Sequence, residues 1–127
     1  MSVYIPISIG ELWDKYSILL IKREKIQNKE KQNIVKHEIE LLDSLMNNYS
    51  YNDNKFFINL KSVNEKLWEI EDKIRIKEKN HSFDLEFVDL ARSVYFTNDK
   101  RAEIKSDINK TYNSNICEVK EYINYNN

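Results

Sequence analysis

The chain has 127 residues, with 20 basic against 21 acidic side chains and a single glycine, proline and cysteine. That length allows one domain with a modest core. The shortage of Gly and Pro removes the material of tight hairpins and bulges, and the balanced charge removes any global pull toward nucleic acid or a membrane surface. Cys117 has no partner for an intramolecular disulfide, and His37 and His81 are too far apart in sequence for metal-ligand spacing, so no metal or other cofactor is expected.

In chain order, Val3, Ile5, Ile7 and Ile9 alternate around Pro6, which predicts an extended entry over residues 1–8. No basic segment leads into an apolar core there, so no leader peptide is expected. Ser8 lies three residues before Glu11, the spacing of a capping box. Helix one then runs to about Gln27 with Leu12, Tyr16, Leu19 and Ile26 on one face, and Ile18, Leu20 and Ile21 wrap its middle in apolar side chains. A helix clothed on all sides belongs at the centre of a bundle. Its apolar run at 18–21 is far too short to span a bilayer, which predicts a cytoplasmic protein.

Asn28 is the expected N-cap of helix two, whose stripe is Val35, Ile39, Leu42, Met46 and Tyr49. The short connection implies an antiparallel pair with helix one. Residues 50–55 read as a loop. Leu60, Val63, Leu67, Ile70 and Ile74 make the stripe of helix three, which ends near Lys79. Roughly opposite that stripe stand Trp68 and Ile76 among Glu65, Glu69 and Asp72, a second face suited to a partner. Residues 80–82 break the pattern. Phe83, Phe87, Leu90 and Val94 build helix four, and Thr97 and Asn98 are expected caps for a fifth helix carrying Ile104, Ile108 and Tyr112. The tail from residue 113 is ambiguous between a short helix and a strand over 116–123, with 124–127 fraying. The expectation is an all-α, single-domain antiparallel bundle of about five helices over residues 1–127. Leu19, Leu42, Leu67, Ile70 and Val94 are its expected core.

Three groups of charges attract a chemical reading. Arg23 falls on the apolar stripe of helix one, where a guanidinium must snorkel to water or meet a carboxylate or an anionic ligand. Arg101 lies on the face of Ile104 and Ile108, with Lys105 one turn on. If a helix starts at Thr97 and Asn98, free N–H groups stand beside both, which is chemistry for a phosphate or carboxylate. Asp99 can equally satisfy that terminus. Glu69 and Asp72 are the candidate acid–base pair, and a solvated surface is the plainer reading of both. No glycine-rich phosphate loop, triad or zinc pattern is present, and aromatic residues are not interleaved with a basic stripe.

Several strings carry a resemblance. Ser8-Ile-Gly-Glu-Leu-Trp-Asp-Lys15 with Ile18-Leu-Leu-Ile-Lys22, then Asn64-Glu-Lys-Leu-Trp-Glu-Ile-Glu-Asp72, Arg92-Ser-Val-Tyr95 and Asn98-Asp-Lys-Arg-Ala102 resemble the domain of unknown function 6165 family. The resemblance implies a small helical bacterial or phage protein, sometimes encoded near glycan-synthesis genes, with no assigned activity or catalytic residues. Two functions follow as expectations. One is a non-enzymatic accessory protein that forms a homodimer through Trp68 and Ile76. The other is a binding protein or enzyme for a small anionic metabolite, a phosphorylated sugar, sugar nucleotide or dicarboxylate. It would use Asn98, Arg101, Lys105 and Arg23 in an inter-helix basic pocket, with Glu69 or Asp72 as base.

Overall fold

The structure is a computed structural model that describes residues 1–126. It contains four helices, α1 (Ile9–Lys25), α2 (Lys29–Met46), α3 (Lys55–Lys79) and α4 (Leu85–Thr111). Each starts on a side chain that accepts the orphan N–H groups of its first turn: Ser8, Asn28, Asn54 and Asp84. Two ends lack glycine yet still close. His81 and Asn113 take positive φ, and Ser82 N–H and Ser114 N–H reach back to the carbonyls of Lys77 and Asn109.

The expected fifth helix is part of α4. Thr97 and Asn98 are good caps locally, but the apolar phase passes straight through them. Phe87, Leu90, Val94, Thr97, Arg101, Ile104 and Ile108 repeat at intervals of three and four without a skip. One helix can therefore keep a single face against α3 over its whole length, and a break would lose that seam. The answering stripe on α3 is Leu60, Val63, Leu67, Ile70 and Ile74. The other correction lies in the tail: residues 115–126 form neither helix nor strand. Residues 124–126 carry no regular structure, and Asn127 lies outside the described residues.

As its clothing predicts, α1 is central. It packs on all three other helices, α3 and α4 pack on each other, and among helix pairs α2 lies against α1 alone. Trp13 is fully buried at the hub. Its ring meets Tyr49, Phe57 and Tyr112 at centroid distances of 5.7, 6.0 and 5.2 Å, contacts worth about 0.5–1.5 kcal/mol each beyond area burial. Leu12, Tyr16, Leu19, Val35, Ile39, Met46, Leu60 and Ile108 complete the cluster. Of the expected core, Leu19 and Ile70 are buried, whereas Leu42, Leu67 and Val94 are half-buried.

The starts of α1 and α3 both lie against the end of α4, through Gly10–Asn109 and Asn54–Tyr112, and contacts run oppositely along α1 and α4, from Gly10–Asn109 to Asp14–Arg101. α1 is thus parallel to α3 and antiparallel to α4. It is also much the shorter, so the far part of the α3–α4 hairpin has no third helix beside it. There Ile76, Phe83, Leu85, Val88, Tyr95 and Phe96 are exposed.

Candidate functional site: a charged seam between α1, α3 and α4

The site is built on a position where two backbones nearly touch. Gly10 N–H donates to Asn109 Oδ1 at 2.7 Å, and a Cβ on Gly10 would stand 2.6 Å from the Lys105 carbonyl oxygen. Only glycine lets α1 lie this close to α4. One turn further along α1, the approach brings Asp14 into the seam, where it is almost wholly buried with Ser17, Asn64, Lys105 and Asn109.

A buried carboxylate needs donors on every side, and Asp14 has them. Its Oδ1 accepts from Asn64 Nδ2 at 2.9 Å and from Arg101 Nε at 2.8 Å, while Oδ2 takes the Arg101 Nη2. This is the bidentate fork that a guanidinium makes with a carboxylate. Asn64 also donates to Ser17 Oγ at 2.9 Å, and that hydroxyl donates to the Asp14 carbonyl at 2.7 Å. Lys105 Nζ lies 2.8 Å from Glu11, 3.2 Å from Glu118 of the tail and 3.9 Å from Asp14. Glu11 thus serves Lys105, while Ser8 still caps α1 by accepting the Glu11 N–H at 3.0 Å.

The electrostatics follow from these pairs. The Asp14 hydrogen bonds raise the Arg101 pKa above the usual guanidinium value against the opposing pull of burial. Burial likewise pulls Lys105 toward its neutral form, but Glu11, Asp14 and Glu118 outweigh it, and its pKa is raised. Lys105 in turn holds the Glu118 carboxyl below its ordinary value against the effect of burial.

Of the sequence candidates, Asn98, Arg101 and Lys105 share one polar cavity of about 220 Å³, together with Glu11, Glu118 and Lys120. Asn98 and Arg101 also line a wider cleft of about 450 Å³ on the other side, which takes in Asp72 and Trp68. Asn98 begins no helix, so the free N–H groups expected beside Arg101 are bonded within α4 instead. Arg23 and Glu69 are exposed and line neither cavity. Trp68 is half-buried in the cleft, and Ile76 lies out on the exposed hairpin, so the two do not share a surroundings.

Sequence reasoning missed Asp14, Ser17, Asn64 and Asn109. The signal was present in α1, where Gly10, Asp14, Ser17 and Ile21 recur at four, three and four, a helical stripe of mixed chemistry. The fold and site define a small four-helix protein whose central helix is held to a long hairpin by buried ion pairs. A family model described as "Family of unknown function (DUF6165)" matches residues 3–126, and the chain belongs to that family. No curated protein and no solved structure matches it. No helix among the described residues is long and apolar enough to cross a membrane.

Proposed function

We propose that this is a cytoplasmic, non-enzymatic accessory protein of a bacterium or phage, acting as a single helical domain that pairs with a second copy through the far part of the α3–α4 hairpin. One observation carries the reading: on α4, Leu85, Val88, Arg92 and Tyr95 are spaced at three, four and three, and all four are exposed. That is the pattern of a helix seam, yet the inner seam of the same helix is already filled by α3. Ile76 and Phe83 enlarge the patch, being 59% and 58% exposed. Exposed apolar residues gathered at one end of a helical hairpin are a usual mark of an interface, and a two-fold pair is the commonest way to close one. At its inner end the row is already met by Tyr125 of the tail, whose ring centroid lies 5.3 Å from that of Tyr95. The setting we propose for it is glycan synthesis, because proteins of the family it resembles are sometimes encoded near glycan-synthesis genes.

Sedimentation of the chain at tens of micromolar tests the pairing. A dimer that Leu85→Asp with Val88→Asp converts to a helical monomer supports it, and a wild-type monomer throughout overturns it. A second reading, capture of a small anionic metabolite, is favoured by the shared cavity of Asn98, Arg101 and Lys105. Glu11, Asp14 and Glu118 weigh against it, since both cations already have carboxylate partners. A thermal-shift response to phosphate or dicarboxylates that disappears in Lys105→Met supports that reading.

A further inference from the structure

The wider cleft gathers the polar groups that the buried network leaves over. Asn64 is 5% exposed and spends both amide hydrogens on Asp14 and Ser17. Its Oδ1 has no donor among the described residues and is not an enclosed orphan, because Trp13 Nε1 alone holds that status. The oxygen therefore opens into the cleft that Asn64 lines. Arg101 uses Nε and Nη2 on Asp14, and its Nη1 has no protein acceptor among the described residues. Asn64 Nδ2 and Arg101 Nε meet at the same Asp14 oxygen, so the network behind them holds both side chains at the cleft they line. The Asn98 side chain and the Asp72 carboxylate line the same cleft and make no hydrogen bond or ion pair among the described residues. The apolar part of the lining is Ile18 and Ile21 of α1 with Leu67 and the Trp68 indole of α3, Trp68 standing one turn from Asn64 and one turn from Asp72.

We infer that this cleft is a binding site for an uncharged sugar ring. Hydroxyls each donate and accept, which matches an amide oxygen and a guanidinium N–H held in one cleft, with Asn98 and Asp72 as further partners in the same lining. The C–H face of a pyranose is the apolar partner that an indole face accepts. At about 450 Å³ the cleft is within the size range of small-molecule sites, and two of its polar groups are pre-oriented, which lowers the ordering cost of binding. Charge decides between a sugar and an anion. Arg75 and Arg101 are balanced by Glu71 and Asp72 within the lining, and Asp14 engages Arg101 from behind. Counting Asp14, carboxylates outnumber cations by one, so an anion has no excess cation to find, whereas a neutral polyol carries no charge to be repelled.

This inference is independent of the pairing proposed above, because a monomer and a dimer would each present the cleft. Acrylamide quenching tests it: Trp13 is inaccessible, so the quenchable emission belongs to Trp68. The methyl glycosides of glucose, galactose and N-acetylglucosamine are titrated up to about 100 mM, beside inorganic phosphate, citrate and adenosine. The expected result is that at least one glycoside shields Trp68, with an affinity that falls about tenfold in Asn98→Ala and in Asp72→Ala, one hydrogen bond in each case. Neither variant removes a protein–protein bond, so both should melt with the wild type. Absence of shielding by every glycoside overturns the assignment, as does an unchanged, wild-type affinity in either variant. Stronger shielding by phosphate, citrate or adenosine also overturns it.

Discussion

Around Trp13 the α3–α4 hairpin is covered by α1, whereas around Phe87 the same two helices stand alone. Their shared seam changes character between the two places. Where the hairpin is bare, the seam is filled by Phe87, Leu90, Val94, Ile70 and Ile74; where α1 covers it, the same phase admits Thr97 and Arg101, with Asn64 alongside, before returning to Ile104, Ile108 and Leu60 at the Trp13 hub. The polar groups thus sit in the better-enclosed region. A charge buried in the seam needs a fixed partner, and for Arg101 the third helix brings it, as Asp14. The bare region pairs Lys77 with Asp84 and Glu86 at its tip and is otherwise held by apolar contact, part of which it leaves exposed.

The comparison breaks most directly at Asp14. Asp14→Ala leaves Arg101 without its fork and Lys105 with one carboxylate fewer, and should cost about 3–5 kcal/mol, measured by urea unfolding of the isolated chain. A loss below about 1 kcal/mol would mean that α1 is held by apolar packing alone. Alkaline titration sharpens the contrast at intermediate size. Lys105 is raised in the fold, and burial with hydrogen bonds to Tyr51 and Asp43 raises Tyr16 from its ordinary value of 10.0. Groups raised on folding give stability that is complete below their unfolded values and lost as pH climbs toward the folded ones. The melting temperature should therefore fall above about pH 10, and fall less steeply in Lys105→Met. The smallest effect belongs to the bare hairpin. Leu85 is 75% exposed, so Leu85→Ser should move monomer stability by no more than about 0.5 kcal/mol while weakening self-association in sedimentation.

What was legible in the sequence divides along the same line. Apolar stripes and caps located α1, α2 and α3, the Asn28 cap and the stop after Lys79, because those signals are local. The unity of α4 was hidden by Thr97 and Asn98, whose cap chemistry is real but is outvoted by a stripe that continues in phase on both sides. Arg101 stood out correctly as a cation on an inner face, yet its partner lies 87 positions away and belongs to a residue that stripe-counting passes over for being charged. Trp13 was passed over for a different reason. On a helix covered by three neighbours, no single stripe describes the buried surface, and the hub residue falls between stripes.

The approach at Gly10 also acts as a mechanical stop. Along α1, Gly10 and Asp14 are one turn apart; along α4, so are Asn109, Lys105 and Arg101, each turn about 5.4 Å. Sliding α1 lengthwise by one turn in either direction would bring Asp14 or a residue before Ile9 to the level where Lys105 O leaves no room for a Cβ. The chain has no second glycine to offer there. Helix register is thereby locked to a single value, and the aim of Arg101 into the cleft is inherited from a hydrogen atom on α1.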